Sequence, residues 1–275
     1  MAELDERWLS LSKPRIYILL VLHSLPYSMT TFQFFSLLLL LIAAFIGFKL
    51  LETNWSFKIS KPFLWEEAVK KGEVSAALKK IESTYRDKVR FYSIWFYIKQ
   101  LKKDNVAGAF AELGVYKGET AFFIHQMDIS RKLLLFDTFE GFDAKDLEKE
   151  QSTGAKYSSS NFSDTSLAAV KTLFGATSNV EFCAGYFPES AANVKEEQYA
   201  FVHIDADLYL PTKAALEYFY PKLSTGGIIL IHDINHTWEG VAKAVAEFEL
   251  NIPETFLPIS DWQGSAVLIK NKRPN

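Results

Sequence analysis

Residues 200–233 read AFVHIDADLYLPTKAALEYFYPKLSTGGIILIHD, and this stretch decides the fold. Ala200 to Ile204 is a short apolar run ending on Asp205-Ala206-Asp207. Pro211 to Leu223 has the apolar spacing of a helix, and Gly227 to Ile231 is a second apolar run ending on His232-Asp233. Strand, helix, strand is the unit of a parallel sheet, because parallel neighbours need a long crossover and the crossover helix covers one face.

The alternation continues on both sides. Further strands are expected at Gly108 to Leu113, Lys132 to Phe136 and Val180 to Ala184, and helices at Thr120 to Met127, Ser166 to Phe174 and Trp238 to Leu250. Phe256 to Ile259 and Ser265 to Ile269 would form a terminal hairpin across Ser260 to Gly264. The expected fold class is α/β, a doubly wound, mostly parallel, seven-stranded sheet with an N-terminal hydrophobic helical extension. Such sheets bind ligands outside the carboxyl ends of their strands, so the residues just after each strand carry the functional reading.

Composition sets the outer bounds. A chain of 275 residues holds one α/β domain plus an appendage, and 49% hydrophobic residues with 23 Phe supply a sizeable core, which excludes wholesale disorder. The formal charge is -3 and the Lys and Arg are dispersed, so there is no footprint for nucleic acid, and a small acceptor fits better. Cys183 is the sole cysteine, reads as a buried thiol, and leaves no disulfide framework or cysteine metal site.

Residues 1–61 read as an N-terminal extension. Ile16 to Phe48 carries no charged residue, and Phe32 to Phe48 is almost continuously apolar, which makes about 30–48 a membrane-helix candidate at the short end of spanning length. The run Ile16 to Leu22 is too short to cross. An interfacial hairpin of both runs competes with the spanning reading, and a cleaved signal peptide is disfavoured because no small-x-small site follows. Lys49, Lys58 and Lys61 after the segment outnumber Lys13 and Arg15 before it. That bias predicts a membrane-associated protein with a cytoplasmic catalytic domain, the alternative being a cytoplasmic one. Residues 62–106 form a helical lead-in, with helices over Trp65 to Ile81 and Tyr85 to Leu101, and 107–275 the sheet domain. The aromatic set around Phe91 to Tyr97 is read as packing, with a wall of the substrate cleft as the competing use.

The first strand runs into AELGVYKGET, residues 111–120. Gly114 and Gly118 permit a tight turn with close backbone approach, and Thr120 can cap the next helix. Pyrophosphate loops read G-x-G-x-x-G, whereas here the second glycine comes four residues after the first and Glu112 would repel phosphate. A cofactor with an ammonium group suits this loop, and Glu112, Gly114, Tyr116, Gly118 and Thr120 are its candidate contacts; a purely structural turn looks similar. The second strand ends in Asp137, placed to accept from ribose hydroxyls, with Thr138 and Phe139 beside it. An ordinary turn-starting Asp is the competing reading. Asp205, Asp207, His232 and Asp233 meet at one rim, where carboxylates repel unless a cation or proton lies between them. Oxygen ligands with one imidazole suit Mg2+ or another divalent cation.

Three blocks, AELGVYKGET (111–120), LFDTFEGF (135–142) and HIDADLYLPTKAALEYFYPKLSTGGIILIHD (203–233), resemble the macrocin O-methyltransferase family, over about Ala107 to Phe248. The resemblance implies a class I methyltransferase fold, S-adenosylmethionine as cofactor, Mg2+, and methylation of a sugar hydroxyl. It would put Glu112 and Gly114 on the methionine part, Asp137 on the ribose, Asp205 on the metal and Asp207 in the role of general base. His232 and Asp233 stand where the family has two consecutive carboxylates, so this metal site (Asp205, His232, Asp233) is less negative by one charge. The hydrophobic N-terminus has no counterpart in the resemblance and brings a lipid-linked or surface glycan in as acceptor.

The expected chemistry is metal-assisted deprotonation of a hydroxyl, with Asp207 taking the proton. Asp143 to Thr165 is long and polar and reads as a lid or a mobile loop. Two other function classes compete: a metal-dependent glycosyltransferase using Asp205/Asp207 as its D-x-D, against which the Glu112 loop argues, and a non-catalytic membrane-tethered scaffold. Homo-oligomer formation is left open.

Overall fold

The computed structural model describes residues 30–56, 61–151, 157–196, 198–234 and 239–271. The chain divides into two compact units, Met1–Glu67 and Ala68–Asn275. In the first, helix α1 (Thr31–Ser56) is the hydrophobic segment. Its stretch Thr31–Leu51 is long and apolar enough to cross a membrane, and Phe32, Leu39 and Phe45 along it are exposed. The shorter run Ile16 to Leu22 lies outside the described residues.

The expected single helix over Trp65 to Ile81 is two, α2 (Phe63–Lys70) and α3 (Ala76–Thr84). The apolar spacing continues through the break, but Gly72 turns left-handed at φ 75° and Ser75 caps a new helix, accepting from the Leu78 amide at 3.1 Å. Tyr85 is then the C-cap of α3, and helix α4 is Lys88–Lys103. Asp87 caps it by accepting from the Arg90 amide at 3.0 Å.

The sheet has seven strands in the order β3-β2-β1-β4-β5-β7-β6. They are β1 (Ala109–Leu113), β2 (Leu133–Asp137), β3 (Val180–Ala184), β4 (Tyr199–Ile204), β5 (Leu223–Ile231), β6 (Leu257–Ile259) and β7 (Ser265–Ile269). The first five run parallel, and β7 pairs antiparallel with β5 and β6. The helices between them are α5 (Glu119–Met127), α6 (Ala144–Gln151), α7 (Leu167–Phe174), α8 (Tyr209–Lys222) and α9 (Glu239–Glu249). These match the sequence expectations to within a few residues, except α6, whose polar sequence gave no helical stripe; Trp238, the expected start of α9, lies outside the described residues.

β1, β4 and most of β2 are buried, as strands covered on both faces must be, which is why they read as unbroken apolar runs. Phe136, Phe187 and Phe219 join sheet to helix, with Phe187 and Phe219 stacked at 5.6 Å. The chain leaves β1 for β2 on one side and later returns to β4 on the other, so a crevice opens between the carboxyl ends of β1 and β4. Register aligns the rim: Leu113 pairs with Phe136 and Ile204, and Ile204 with Ile231. Just beyond, Gly114 donates to Phe136, Asp205 to Leu113 and His232 to Ile204 through their backbone amides.

Candidate active site

Gly114 leaves β1 at φ 85°, and a Cβ there would overlap the backbone carbonyl of Asp205. Only glycine lets the first loop pass this close to the end of β4. Four non-glycine residues in the strand-end loops are left-handed as well: Tyr116 (φ 50°), Phe139 (φ 56°), Asp207 (φ 60°) and Asp233 (φ 63°). Each costs on the order of 1 kcal/mol, a concentration of strain typical of functional loops.

Asp137 fastens the glycine loop. Its Oδ2 accepts from the Val115 and Tyr116 amides at 2.6 and 2.8 Å, and Oδ1 accepts from the Phe139 amide at 2.6 Å. A carboxylate offers about four acceptor positions, so about one remains for a ligand hydroxyl. The Tyr116 hydroxyl and Lys117 ammonium donate to Asp164, each at 2.6 Å, and the Thr165 hydroxyl donates to the Tyr116 carbonyl at 2.5 Å. The end of the polar segment 143–165 is thus strapped to the loop; residues 152–156 of it lie outside the described residues.

A cavity of about 390 Å³ opens over this rim. Of the sequence-predicted residues, Glu112, Gly114, Tyr116, Thr120, Asp137, Thr138, Asp205, Asp207, His232 and Asp233 line it. Gly118 and Phe139 do not: Gly118 lies against Val170 of α7, and Phe139 lines a neighbouring recess with Thr138.

Glu112 is 1% exposed and its Oε1 is hydrogen-bonded to Nδ1 of His203 at 2.8 Å. Burial, reinforced by the Asp205 charge, holds the Glu112 carboxyl well above the usual range, and burial pushes the His203 imidazole down to about 3. Oε2 of Glu112 has no hydrogen-bond partner among the described residues. A buried acceptor of this kind is costly unless a ligand donor meets it.

At the neighbouring tips, single donor atoms of Asp205, His232 and Asp233 lie within 4.8 Å of one another. Although burial works against it, Asp205 and Asp233 raise His232 to about 9, while His232 and then Arg90 hold Asp205 below the usual carboxylate range. Burial, then Asp205 and Asp233, push the Asp207 carboxyl well above its usual value. Two oxygens and one imidazole nitrogen can hold a divalent cation, so these residues fit one.

Several polar wall residues were not assigned to the site from the sequence. Tyr85 and Arg90 come from the lead-in helices, Gln263 from the loop between β6 and β7, and Asp146 from α6. Gln263 donates to Asp233 at 3.4 Å, and Asp146 accepts from the Tyr186 hydroxyl at 2.7 Å. None sits in a strand-end motif; the available signals were the aromatic-rich lead-in and, for Asp146, the polar segment 143–165 read as a lid or a mobile loop.

The chain is 25% identical over 158 residues to the 8-demethyl-8-(2,3-dimethoxy-alpha-L-rhamnosyl)-tetracenomycin-C 4'-O-methyltransferase of Streptomyces olivaceus, covering 52% of this chain and 59% of that protein. It is 27% identical over 158 residues to the Mycinamicin III 3''-O-methyltransferase of Micromonospora griseorubida, covering 52% and 62%. The chain thus spans about three fifths of the length of the curated relatives it matches. Among solved structures, the O-methyltransferase NovP superposes with a TM-score of 0.56 at 21% identity, covering 67% of this chain and 81% of NovP. The calicheamicin methyltransferase CalS11 superposes with a TM-score of 0.54 at 22% identity, covering 79% and 90%. Both share the fold. The family described as Macrocin-O-methyltransferase (TylF) matches residues 66–267, which is most of the chain, and the chain therefore belongs to the macrocin O-methyltransferase family.

Proposed function

We propose that this chain methylates a hydroxyl of a sugar or glycan-like small molecule, taking the methyl group from S-adenosylmethionine with help from a divalent cation such as Mg2+. The observation that carries the reading is the single cavity joining the glycine loop, with buried Glu112, to the acidic tips of β4 and β5. The sugar class of acceptor is drawn from the relative whose name specifies a rhamnosyl group.

Glu112 and the Gly114 turn hold the amino-acid end of the cofactor, and Asp137 uses its remaining acceptor position on the ribose. Asp205, His232 and Asp233 are the cation ligands. A bound cation supplies Lewis acidity, lowering the pKa of the acceptor hydroxyl. Asp207 accepts the hydroxyl proton as the oxygen forms its bond to the sulfonium methyl and the carbon–sulfur bond breaks. Its raised proton affinity makes it a stronger base than an ordinary aspartate once ionised. Cofactor preference tests the reading: calorimetry on the full chain in detergent is expected to show binding of S-adenosylhomocysteine and none of a UDP-sugar. The reverse preference, or binding of neither, contradicts it.

Helix α1 is proposed to anchor the chain in a membrane with the sheet domain on the cytoplasmic side, supported by the length and apolar character of Thr31–Leu51. Full-length protein is then expected in the membrane fraction after an alkaline salt wash; recovery in the supernatant contradicts the anchor. A lipid-linked or surface glycan is the acceptor most compatible with such a tether.

A further inference from the structure

Trp262, in the loop between β6 and β7, has 78% of its surface exposed, and among the described residues of Ala68–Asn275 it is the only phenylalanine or tryptophan so placed. A single exposed apolar side chain is ordinary by itself. What sets this one apart is that the loop carrying it is fastened at three points. The Trp262 amide donates to Oδ2 of Asp87, the N-cap of α4, at 2.9 Å. Before it, buried Asp261 accepts from the Ser265 amide and hydroxyl at 2.6 and 2.5 Å, closing the loop on itself. After it, the Gly264 carbonyl accepts from the Ile234 amide at 2.9 Å, which ties the loop to the end of β5. The Arg86 guanidinium carbon lies 5.8 Å from the ring centre, a cation–π approach that leaves most of the indole open to water.

The place of this ring matters for the chemistry. The next residue, Gln263, lines the active-site cavity and donates to Asp233, one of the three proposed cation ligands, at 3.4 Å. Neighbouring Cα atoms are about 3.8 Å apart, so Trp262 stands on the rim beside the cation-binding tips. The tips themselves, Asp205, Asp207, His232, Asp233 and Gln263, are all polar and address hydroxyls. A sugar ring also has a face of C–H groups, which needs an apolar partner. An aromatic face fits it, and aromatic rings commonly flank the few placed polar groups of small-molecule sites.

From this we propose that Trp262 is a specificity-determining residue: the C–H face of the acceptor sugar stacks on its indole while a hydroxyl of the same ring is held at the Asp205, His232 and Asp233 tips. The inference rests on the proposed sugar acceptor and adds to it the contact that recognises the ring. It makes the β6–β7 loop part of the acceptor site.

The experiment measures transfer from methyl-labelled S-adenosylmethionine to a panel of methyl hexosides that includes methyl α-L-rhamnoside, on the full chain in detergent with Mg2+. S-adenosylhomocysteine affinity by calorimetry and mass by light scattering are read beside it. In Trp262→Ala the KM for the best hexoside is expected to rise about 10-fold, the size of a lost aromatic anchor, with the loss falling on KM rather than kcat and S-adenosylhomocysteine affinity within about 2-fold. Trp262→Phe, which retains a ring, is expected to fall between. Both variants keep the backbone amide that Asp87 holds, so the loop stays fastened. An unchanged KM in Trp262→Ala overturns the platform, and if the mass falls as well the ring is a contact between copies of this chain instead. An equal loss of S-adenosylhomocysteine affinity also overturns it, in favour of a structural role. A wild-type chain that binds S-adenosylhomocysteine yet methylates no hexoside overturns the sugar-acceptor reading, and the platform with it.

Discussion

Nδ1 of His232, at the end of β5, lies 2.8 Å from Oδ1 of Asp205, at the end of β4, and 3.3 Å from Oδ2 of Asp233. One imidazole therefore bridges the two carboxylates that the fold brings to the same rim. Its positive charge, raised by those neighbours, does part of what a cation does elsewhere: it keeps Asp205 and Asp233 from repelling each other.

The first prediction follows from that bridge. His232→Asp puts two consecutive carboxylates at the end of β5 and exchanges a neutral ligand for a charged one, which makes the site more negative. Mn2+ affinity measured by calorimetry is expected to rise by at least about 10-fold, a lower bound for one added charged ligand after its desolvation is offset. Unchanged or weaker Mn2+ binding contradicts the assignment of His232 as a cation ligand.

Gly114→Ala probes the crossing of the first loop over β4. The added Cβ must avoid the Asp205 carbonyl and also adopt a left-handed backbone, a combination expected to cost about 3 kcal/mol or more in urea unfolding. Cofactor affinity should fall with it. Wild-type stability in this variant contradicts the close approach.

Much of this site was legible because strand ends announce themselves. Glu112, Asp137, Asp205, Asp207 and His232-Asp233 each follow or close an apolar run, and a parallel sheet leaves such residues only one rim to occupy. Arg90 and Tyr85 were not legible, since their place depends on how α3 and α4 pack against the sheet, which no local pattern encodes. The helix expected over Trp65 to Ile81 failed for a related reason: apolar spacing persists across Gly72, while the break is set by backbone conformation and the Ser75 cap. His203 read as one more strand residue, and only register across β1 and β4, Glu112 opposite His203, makes it the partner of Glu112.

Asp146 gives a pH-dependent prediction. Burial raises its carboxyl to about 6, so the folded chain favours the protonated form; stability is fullest below the ordinary aspartate pKa and falls as pH rises through about 6. Asp146→Asn keeps an acceptor for the Tyr186 hydroxyl and removes the ionisation. Thermal melts are expected to show the variant more stable than wild type at pH 8 by about 1 kcal/mol after allowance for solvent screening, with the gap closing by pH 4. A gap that does not change with pH contradicts the assignment.

The base assignment rests on Asp207. Asp207→Asn keeps shape and hydrogen-bonding reach but cannot take a proton, so turnover is expected to drop by about 100-fold or more with S-adenosylhomocysteine affinity nearly unchanged. Loss of binding in step with turnover points instead to a structural role.

The central claim is methyl transfer to a sugar oxygen in the cavity over β1, β4 and β5, and isotope transfer tests it most directly. The full-length chain is incubated with methyl-labelled S-adenosylmethionine, Mg2+ and a panel of rhamnosides and extracted glycolipids, and the products are analysed by mass spectrometry. The account predicts label in an alkali-stable methyl ether on a sugar hydroxyl, formed by wild type and nearly abolished in Asp207→Asn. Label on nitrogen or carboxylate, equal transfer by the two proteins, or no transfer to any acceptor by a chain that binds the cofactor would contradict it.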